Sequence, residues 1–502
     1  MTKNSSAAQH AHTGLSPTMT KNEQRRVVAG TTIGTAIEWY DYFIYANVAG
    51  IVFNHIMFSE DMGRGLATIL SFLTVGISFL FRPLGAFLAG HFADKHGRRI
   101  VLMVTLVTMG SATVLIGILP TYETIGIWAP AALILLRILQ GISAGGEWGS
   151  AVLLAVEHAP THKRGLYGAG PQIGVPLGLL LASGILTIMN WIAPGDAFMQ
   201  WGWRVPFLLS ILLILVGLLI RHGVSESPVY AEMNERPDLE TTKNPVKVLF
   251  KQHTGVLFAA AFVLAANGAV GYMTVGGFIQ SYATNSEGLA MDRGQVLGAV
   301  TLSAASWTLT TLFAGWLSDR ITRKHSLGVG FLLQAVGVLA LFPLINTGSI
   351  TNLTIAVVFL TVGLGLTYGQ ISAMYTEVYP ASIRSSGASI NYAIASILGG
   401  AFAPMIAASL VEATGGTRAV TIYLMTMTGI GALCLFLLRD RTGIPLQPGY
   451  ESVQSTGHFI WQKDWREALA EFEQAPLVDA PTATINADDT DDTDTAGAVL
   501  QP

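Results

Sequence analysis

Long apolar runs separated by short polar stretches repeat along most of the chain. Each run has about 20 residues, the length that an α-helix needs to cross a bilayer core about 30 Å thick. The runs lie at roughly 27–54, 66–90, 100–119, 129–156, 166–192, 204–220, 255–283, 296–318, 327–345, 352–378, 388–411 and 419–438. Backbone N–H and C=O groups in lipid must form their hydrogen bonds within the protein, so we expect these runs to be helices. The pattern predicts an all-α polytopic membrane protein with about 12 transmembrane helices.

Polar stretches divide the runs into two sets of six. The segments that we predict are a disordered tail at 1–24, a six-helix bundle at 25–220, a central loop at 221–254, a second six-helix bundle at 255–440 and a tail at 441–502. Apolar residues at 459–474 of the last tail have helical spacing, which predicts a helix that lies on the membrane surface or on the bundle. The residues after this segment are acidic. We expect the acidic end to be solvated and disordered.

Basic residues are concentrated in alternate loops, and both tails fall on the same side as those loops. The other side holds only four arginines, namely Arg64, Arg204, Arg293 and Arg418. Cytoplasmic loops of membrane proteins carry the excess of Lys and Arg. We therefore expect a multi-pass protein of the cell membrane with both termini in the cytoplasm.

Composition narrows the possible functions. Only 12% of the 502 residues are charged, against about 25% in soluble domains, and the mean hydropathy is +0.50. The single cysteine, Cys434, excludes an internal disulfide and a thiol-based metal cluster. No nucleophile–base pair, metal motif or phosphate loop is visible, so we expect neither an enzyme nor a cofactor or metal. The lipid bilayer is the expected environment, and nothing points to nucleic acid.

Two motifs occur twice, once in each predicted bundle. Gly90-x-x-x-Asp94-Lys95-x-Gly97-Arg98-Arg99 returns 225 residues later as Gly315-x-x-x-Asp319-Arg320-x-x-Arg323-Lys324. Glu157-x-x-Pro160-x-x-x-Arg164 returns 220 residues later as Glu377-x-x-Pro380-x-x-x-Arg384. Two like-oriented halves are a known transporter pattern, with the substrate site between them near the midplane. Carboxylates and arginines at the cytoplasmic ends can pair to hold that side shut. The predicted gating residues are Gly90, Asp94, Arg98, Arg99, Glu157, Arg164, Asp319, Arg320, Glu377 and Arg384.

The first half also carries charges inside its apolar runs. Arg137, Gln140 and Glu147 fall on one helical face, opposite Leu135 and Leu139. A charge at mid-bilayer costs about 3 kcal/mol or more, so such residues are usually functional. These residues therefore predict a polar solute path through the membrane.

Glu38 and Asp41 lie three residues apart in the first run, with Tyr42 and Tyr45 on the same face. Two carboxylates in a desolvated cleft cannot easily both be ionised, so one can bind a proton. A substrate carboxylate that pairs with Arg82 or Arg137 would free Asp41 to be protonated, which predicts symport. The alternative is a static ion pair that fixes helix packing. The predicted proton-coupling residues are Asp41, Glu38 and Glu147.

Charged residues are absent from the interior of the apolar runs between 255 and 411. We expect the second half to offer neutral contacts, although each alone is also compatible with packing. The predicted substrate-binding residues are Arg137, Arg82, Tyr42, Tyr45, Gln140, Gln172, Asn267, Tyr272, Gln370 and Asn391.

The repeated motifs, with Glu38-Trp39-Tyr40-Asp41-Tyr42, Phe81-Arg82-Pro83-Leu84-Gly85 and Gly202-Trp203-Arg204-Val205-Pro206-Phe207, resemble the major facilitator superfamily and its metabolite:H⁺ symporters. Within that family the chain looks nearest to the shikimate transporters, over about residues 25–440. The resemblance implies transport driven by the proton gradient. One departure is Thr322, where the first copy of the loop motif has Gly97.

The predicted function is import of a small carboxylate, shikimate or a relative, with protons, by a functional monomer. A proline or betaine symporter is the alternative within the class, although such relatives often end in a coiled coil that this tail lacks. Repeated loop motifs do not fix the direction of transport, which leaves a proton-driven exporter open. A non-transporting membrane sensor is the alternative from another class, but neither tail is long enough for a signalling domain.

Overall fold

The computed structural model describes residues 21–222 and 245–474, apart from 97, 146, 147, 158, 276 and 287. Within these residues the chain forms twelve long helical segments, α1–α12, and a short tail helix, α13. Shorter helices also occur, among them Pro245–Gln252 at the end of the predicted central loop. The letters a and b mark the two parts of a broken segment. Their bounds are α1 Lys21–Val48, α2 Arg64–His96, α3 Arg98–Ile118, α4a Trp128–Ala144, α4b Trp148–Glu157, α5 Arg164–Ile192, α6 Arg204–His222, α7a Thr254–Val275, α7b Phe278–Thr284, α8 Arg293–Ile321, α9 Arg323–Ile345, α10a Ile350–Tyr368, α10b Ile371–Val378, α11a Arg384–Ala395, α11b Ala403–Thr414, α12 Arg418–Leu437 and α13 Trp465–Gln474.

Length and hydropathy support a membrane-spanning role for these segments. Nine candidate spans in the described residues are long and apolar enough to cross a bilayer, and two shorter apolar helices lie at Met103–Ile118 and Trp128–Ala144. The remaining segment, α1, begins with charged residues and becomes apolar farther along. The predicted polytopic all-α fold is confirmed.

The segments assemble as two groups of six. In the first group α1 packs on α5, α2 on α4a and α3 on α6, whereas in the second group α8 and α9 pack on α10a and α7a packs on α12. The groups meet along α5 and α8 and along α2 and α11b. This arrangement confirms the two six-helix bundles expected from the repeat.

The outer surface is apolar, as lipid contact requires. On α4a, Leu135 and Leu139 are exposed while Arg137 and Gln140 are buried. The predicted division of this helix into a lipid-facing side and a polar inner side is therefore confirmed.

Several segments are broken where the two groups approach each other. Between α7a and α7b, Gly277 has a φ of +84°, and its Cα lies so close to the Ala46 carbonyl of α1 that a Cβ would collide with it. Only glycine meets both demands. After α11a the chain winds through a π-helical turn, Ser396–Ala401. These breaks place irregular backbone in the protein interior, where neighbouring helices surround it.

The described part of the C-terminal tail folds onto the bundle. Residues 438–474, here called the strap, run through turns, a single bridge between Leu438 and Phe459, and α13. The predicted helix at 459–474 is therefore shorter than expected and begins at Trp465. Residues 223–244 of the predicted central loop at 221–254 lie outside the described residues, as do the first 20 residues and the acidic end after 474.

Candidate functional site

A cavity lies between the two halves. About 440 Å³ of space there is not filled by protein atoms, a volume that includes space open to solvent. Its wall is mainly aromatic and comes from α1, α5, α7a, α8, α10a and α11: Trp39, Phe43, Val175, Leu264, Asn267, Tyr272, Trp307, Tyr368, Tyr392 and Ser396 are among the lining residues. The position matches the predicted substrate site between halves.

A buried ion pair borders this cavity. Arg82 Nη2 lies 3.8 Å from Glu38 Oε1, and both side chains are more than nine-tenths buried. The Arg82 guanidinium stacks over Phe79 at 4.5 Å and over the cavity residue Trp39 at 5.2 Å. Its Nε has no hydrogen-bond partner in the described part of the chain. Arg82 therefore has a donor to spare beside the cavity.

Arg137 is bound differently. It donates to the Thr74 carbonyl at 3.2 Å and the Val75 carbonyl at 3.0 Å, and also to Ser78 Oγ and Gln140 Oε1 at 2.8 Å each. Tyr45 lies under the guanidinium at 4.0 Å. Among the described residues none of these partners is a carboxylate, so Arg137 ties α4a to α2 through neutral acceptors.

Asp41 turns away from the cavity toward α3 and α6. Its Oδ1 accepts a hydrogen bond from Ser210 at 2.7 Å, and Thr113 lies within hydrogen-bonding reach. Thr113 also accepts from Gln140 Nε2 at 2.8 Å, and Gln140 is bonded to Arg137. Among the described residues, this polar chain is what links Asp41 to Arg137.

The predicted aromatic residues cluster between the arginines and the cavity. The Tyr45 hydroxyl is bonded to Thr74 at 2.5 Å. Tyr42 meets Tyr272, a cavity residue, edge to face at 5.9 Å. The Tyr42 hydroxyl is buried and has no hydrogen-bond partner in the described ranges, which makes it available to a ligand.

The predicted neutral residues differ in their distance from the cavity. Asn267 lines it and donates to Thr367 Oγ1 at 2.7 Å. Gln172 joins the halves, since it accepts from Trp148 at 3.2 Å and donates to the Tyr368 carbonyl at 3.4 Å. Gln370 and Asn391 are fully buried; Gln370 donates to Leu366 and Asn391 to Tyr379 and Leu257, which suits packing roles.

Trp307 was not among the predicted site residues. It lies on α8, lines the cavity and is buried, and its indole nitrogen has no hydrogen-bond partner within the described residues. A tryptophan in an apolar run is commonly a packing residue, so the sequence offered no signal for it.

Ion pairs cross between the halves at one end of the bundle, here called the basic end. Arg384 Nη1 lies 3.1 Å from Glu157 Oε1, and Arg164 Nη1 lies 3.5 Å from Glu377 Oε1. Asp319 accepts from the backbone N–H groups of Gly165 at 2.8 Å and Leu166 at 2.9 Å, at the start of α5. Five of the predicted gating residues therefore lie at or beside one closed contact.

One arginine at the basic end was not among the predicted gating residues. Arg323 bonds Asp319 at 2.6 Å and Glu377 at 3.3 Å, whereas Arg320 lies exposed over the ring of Trp316. The repeated motif contained Arg323, so the signal was present. Four other predicted gating residues lie toward the ends of α2 and α3, where the side chains are not described: Gly90, Asp94, Arg98 and Arg99. The predicted proton-coupling residue Glu147 lies outside the described residues.

The opposite end of the bundle is also closed. Gln280 Nε2 on α7b donates to Asn47 Oδ1 on α1 at 2.6 Å, and Arg64 donates to Ser286 Oγ at 2.7 Å. Gly50 and Gly277 hold the backbones of α1 and α7b in contact. A buried cavity with contacts across both ends has the form of an occluded state.

Comparisons with known proteins agree with this architecture. The family model of the Major Facilitator Superfamily matches residues 31–397 and 299–478. The inner membrane metabolite transport protein YhjE of Escherichia coli K12 is 39% identical over 84% of this chain and 95% of its own. The shikimate transporter of the same organism is 35% identical over 84% of this chain and 96% of its own. The crystal structure of a D-xylose-proton symporter matches with a TM-score of 0.66 at 18% identity, over 84% of this chain and 99% of that chain.

Fold, cavity and relatives together define a polytopic membrane transporter of metabolites rather than an enzyme. The chain belongs to the Major Facilitator Superfamily. These matches confirm the resemblance seen in the sequence.

Proposed function

We propose that the protein is a proton-coupled symporter that imports a small carboxylate, shikimate or a related organic acid, by alternating access. The observation that carries the proposal is the buried Glu38–Arg82 pair beside a closed, otherwise neutral cavity. Arg82 supplies the positive charge that a carboxylate needs and Glu38 the group that can take a proton.

The need to keep the buried site electrically neutral couples the binding of a proton to the binding of a substrate carboxylate. At rest, Arg82⁺ and Glu38⁻ neutralise each other, which limits the cost of burying them. A substrate carboxylate that takes Arg82 as its partner withdraws the positive charge of Arg82 from Glu38, and protonation of Glu38 restores neutrality. One proton therefore accompanies one carboxylate group, and each ligand favours binding of the other.

The geometry favours Glu38 over Asp41 for this exchange, because none of the described residues places a cation beside Asp41 that a substrate could withdraw. Asp41 remains a candidate proton site, since it ends the polar chain from Arg137. The donors of Arg137 already have protein acceptors, which suits it to hold α2 and α4a in register rather than to bind substrate.

We assign the basic end to the cytoplasm, where the excess of Lys and Arg belongs. The protein then lies in the cell membrane with both termini inside, and it functions as a monomer because its cavity is complete within one chain. The Glu157–Arg384 and Arg164–Glu377 contacts act as the inner gate, because separation of the halves at that end must break them.

A second candidate is a proline or betaine symporter. The aromatic wall, which includes Trp39, Tyr272, Trp307 and Tyr392, could hold a quaternary ammonium through cation–π contacts. The carboxylate proposal is preferred because Arg82 beside the cavity is a cation whose Nε–H has no described partner. Such a group attracts a carboxylate and repels an ammonium group.

The test is uptake of labelled shikimate into proteoliposomes with an inward proton gradient, in competition with 2-oxoglutarate, citrate, protocatechuate, proline and betaine. We expect gradient-dependent uptake that only cyclic hydroxy acids displace. Displacement by betaine or proline would select the second candidate, and absence of uptake of every labelled compound would contradict both.

A further inference from the structure

Trp307 offers the cavity a hydrogen-bond donor that the protein does not use. It lies on α8, in the half opposite Glu38 and Arg82, and its ring packs against Tyr368 at 5.9 Å. Its indole Nε1 is buried and unpartnered among the described residues. An indole N–H can only donate, and a buried donor without an acceptor is unfavourable. An acceptor on a ligand would relieve it.

We propose that Trp307 determines specificity by donating this hydrogen bond to a ring hydroxyl oxygen of the substrate, whose carboxylate binds Arg82 across the cavity. The inference rests on the proposed function and names its substrate class, which is hydroxylated cyclic acids. Each half of the transporter then recognises a different part of one molecule, so the substrate binds fully only when the halves are closed around it.

Trp307→Phe tests this assignment, since it keeps an aromatic ring while it removes the N–H donor together with the second ring of the indole. We expect the KM for shikimate to rise about 3- to 10-fold with little change in maximal rate. Inhibition by cyclohex-1-ene-1-carboxylate, which lacks the hydroxyls, should stay unchanged. Trp307→His, which restores an N–H donor, should recover part of the affinity, and the exposed Trp316→Phe on the same helix is the control.

An unchanged shikimate KM in a stable Trp307→Phe variant, while the wild type transports shikimate, would overturn this inference alone. Equal weakening of shikimate and of the dehydroxylated acid would also overturn it, because that result indicates a packing defect. Failure of the wild type to take up any cyclic acid would instead refute the proposed function.

A second observation concerns the strap, residues 438–474, which contacts both halves at the basic end. Ile444, Leu446, Val453 and Trp465 of the strap form a buried apolar cluster with Val156 of α4b. Arg164 of α5 donates to the Ile444 carbonyl at 2.7 Å. Val156 and Arg164 belong to the first half, although the strap follows the last helix of the second.

The strap is also tied to the second half. Arg441 donates to the carbonyls of Glu377 at 3.0 Å and Gln454 at 2.6 Å. Gln454 Oε1 accepts from the Ala381 backbone at 2.8 Å and from Arg384 at 3.4 Å. Arg384 is the gate residue that pairs with Glu157. The strap therefore bridges the gate and binds its members from both sides.

We infer that the strap is an intramolecular latch that holds the basic end closed. Opening at that end must separate Val156 from its apolar partners and expose them to water, in addition to breaking the ion pairs. The latch shifts the population toward the state closed at the basic end, and its release is part of each transport cycle.

Trp465→Ala tests the latch, with Trp461→Ala as the matched control: Trp465 is buried in the cluster, whereas Trp461 is 65% exposed in the same strap. The reporter is a cysteine at Ser372, a buried residue of α10b beside α5, in a Cys434→Ser background. We expect Trp465→Ala to increase its labelling rate by a water-soluble maleimide about fivefold or more. Trp461→Ala should leave the rate unchanged.

Leu446→Ala, a smaller change in the same cluster, gives the same readout if Trp465→Ala is poorly folded. Equal labelling rates in the parent and in a folded cluster variant would overturn the inference. An equal increase in Trp461→Ala would overturn it too, because loosening of the strap in general would then explain the effect without the cluster.

Discussion

Glu38 and Asp41 lie about one turn apart on α1 and have different partners. Glu38 faces Arg82 and the cavity, while Asp41 bonds Ser210 on α6. Their spacing predicted two nearby carboxylates, and among the described residues a cation lies beside Glu38 but not beside Asp41. The sequence could not supply that distinction, because it depends on where α2 and α6 lie around α1.

Glu38→Gln should abolish accumulation driven by a proton gradient, because the neutral amide can no longer exchange a proton as substrate binds Arg82. Exchange of internal for external substrate should persist, since it needs no net proton movement. Asp41→Asn is the matched comparison and should retain gradient-driven accumulation. Measurement of both activities in proteoliposomes decides the matter, and the reverse pattern would assign proton coupling to Asp41.

Thr322 stands where the first copy of the loop motif has Gly97, and its φ is +79°. Threonine is strained at positive φ, at a cost of about 1–3 kcal/mol. Thr322→Gly should therefore raise the free energy of unfolding by about 1 kcal/mol, less the entropy that glycine adds to the unfolded chain. A lower thermal midpoint in the glycine variant would show that the hydrogen bond between Thr322 and His325 outweighs the strain.

At the scale of elements, apolar run length predicted most helices and periodicity predicted the buried face of α4a. The breaks were not predicted, because they depend on neighbours: Gly277 takes its positive φ where α7 meets Ala46 of α1. The spacing at 459–474 predicted one helix, yet the chain is helical only from Trp465. The preceding residues instead bond to Arg439, which donates to the carbonyls of Ile460 and Gln462.

The strap contains a histidine whose protonation should weaken its docking. Burial, followed by the nearby charges of Arg441 and His253, lowers the pKa of His458 from 6.5 to about 3, although a bond to the Val378 carbonyl opposes the shift. A lowered pKa means that the unfolded state binds more protons between these values. The stabilisation is therefore fully present above about pH 6.5 and is lost as the pH falls toward 3.

His458→Asn should make the thermal midpoint less sensitive to acid, since asparagine can still donate to Val378 and does not titrate. The measurement compares the fall in midpoint between about pH 7.5 and pH 5.5 in both proteins, with the exposed His162→Asn as control. An equal fall in wild type and His458→Asn would contradict this role of His458.

For the whole molecule, the internal repeat predicted two halves with a site between them, and the cavity lies there. The ion pairs among Glu157, Arg164, Glu377 and Arg384, which we propose as the inner gate, were foreseeable because both copies of the motif carry the same charges. The contribution of the strap was not foreseeable. Its apolar residues cover a gate formed by distant helices, and tail composition does not encode that contact.

The central claim is that one proton neutralises one substrate carboxylate through the Glu38–Arg82 pair. The direct measurement is shikimate uptake into proteoliposomes under a pH gradient alone and under a membrane potential alone. Since the proton and the monovalent anion enter together, we predict accumulation with the pH gradient and none with the potential. Accumulation driven by an inside-negative potential without a pH gradient would mean that net positive charge enters with the substrate, and would contradict the one-to-one exchange.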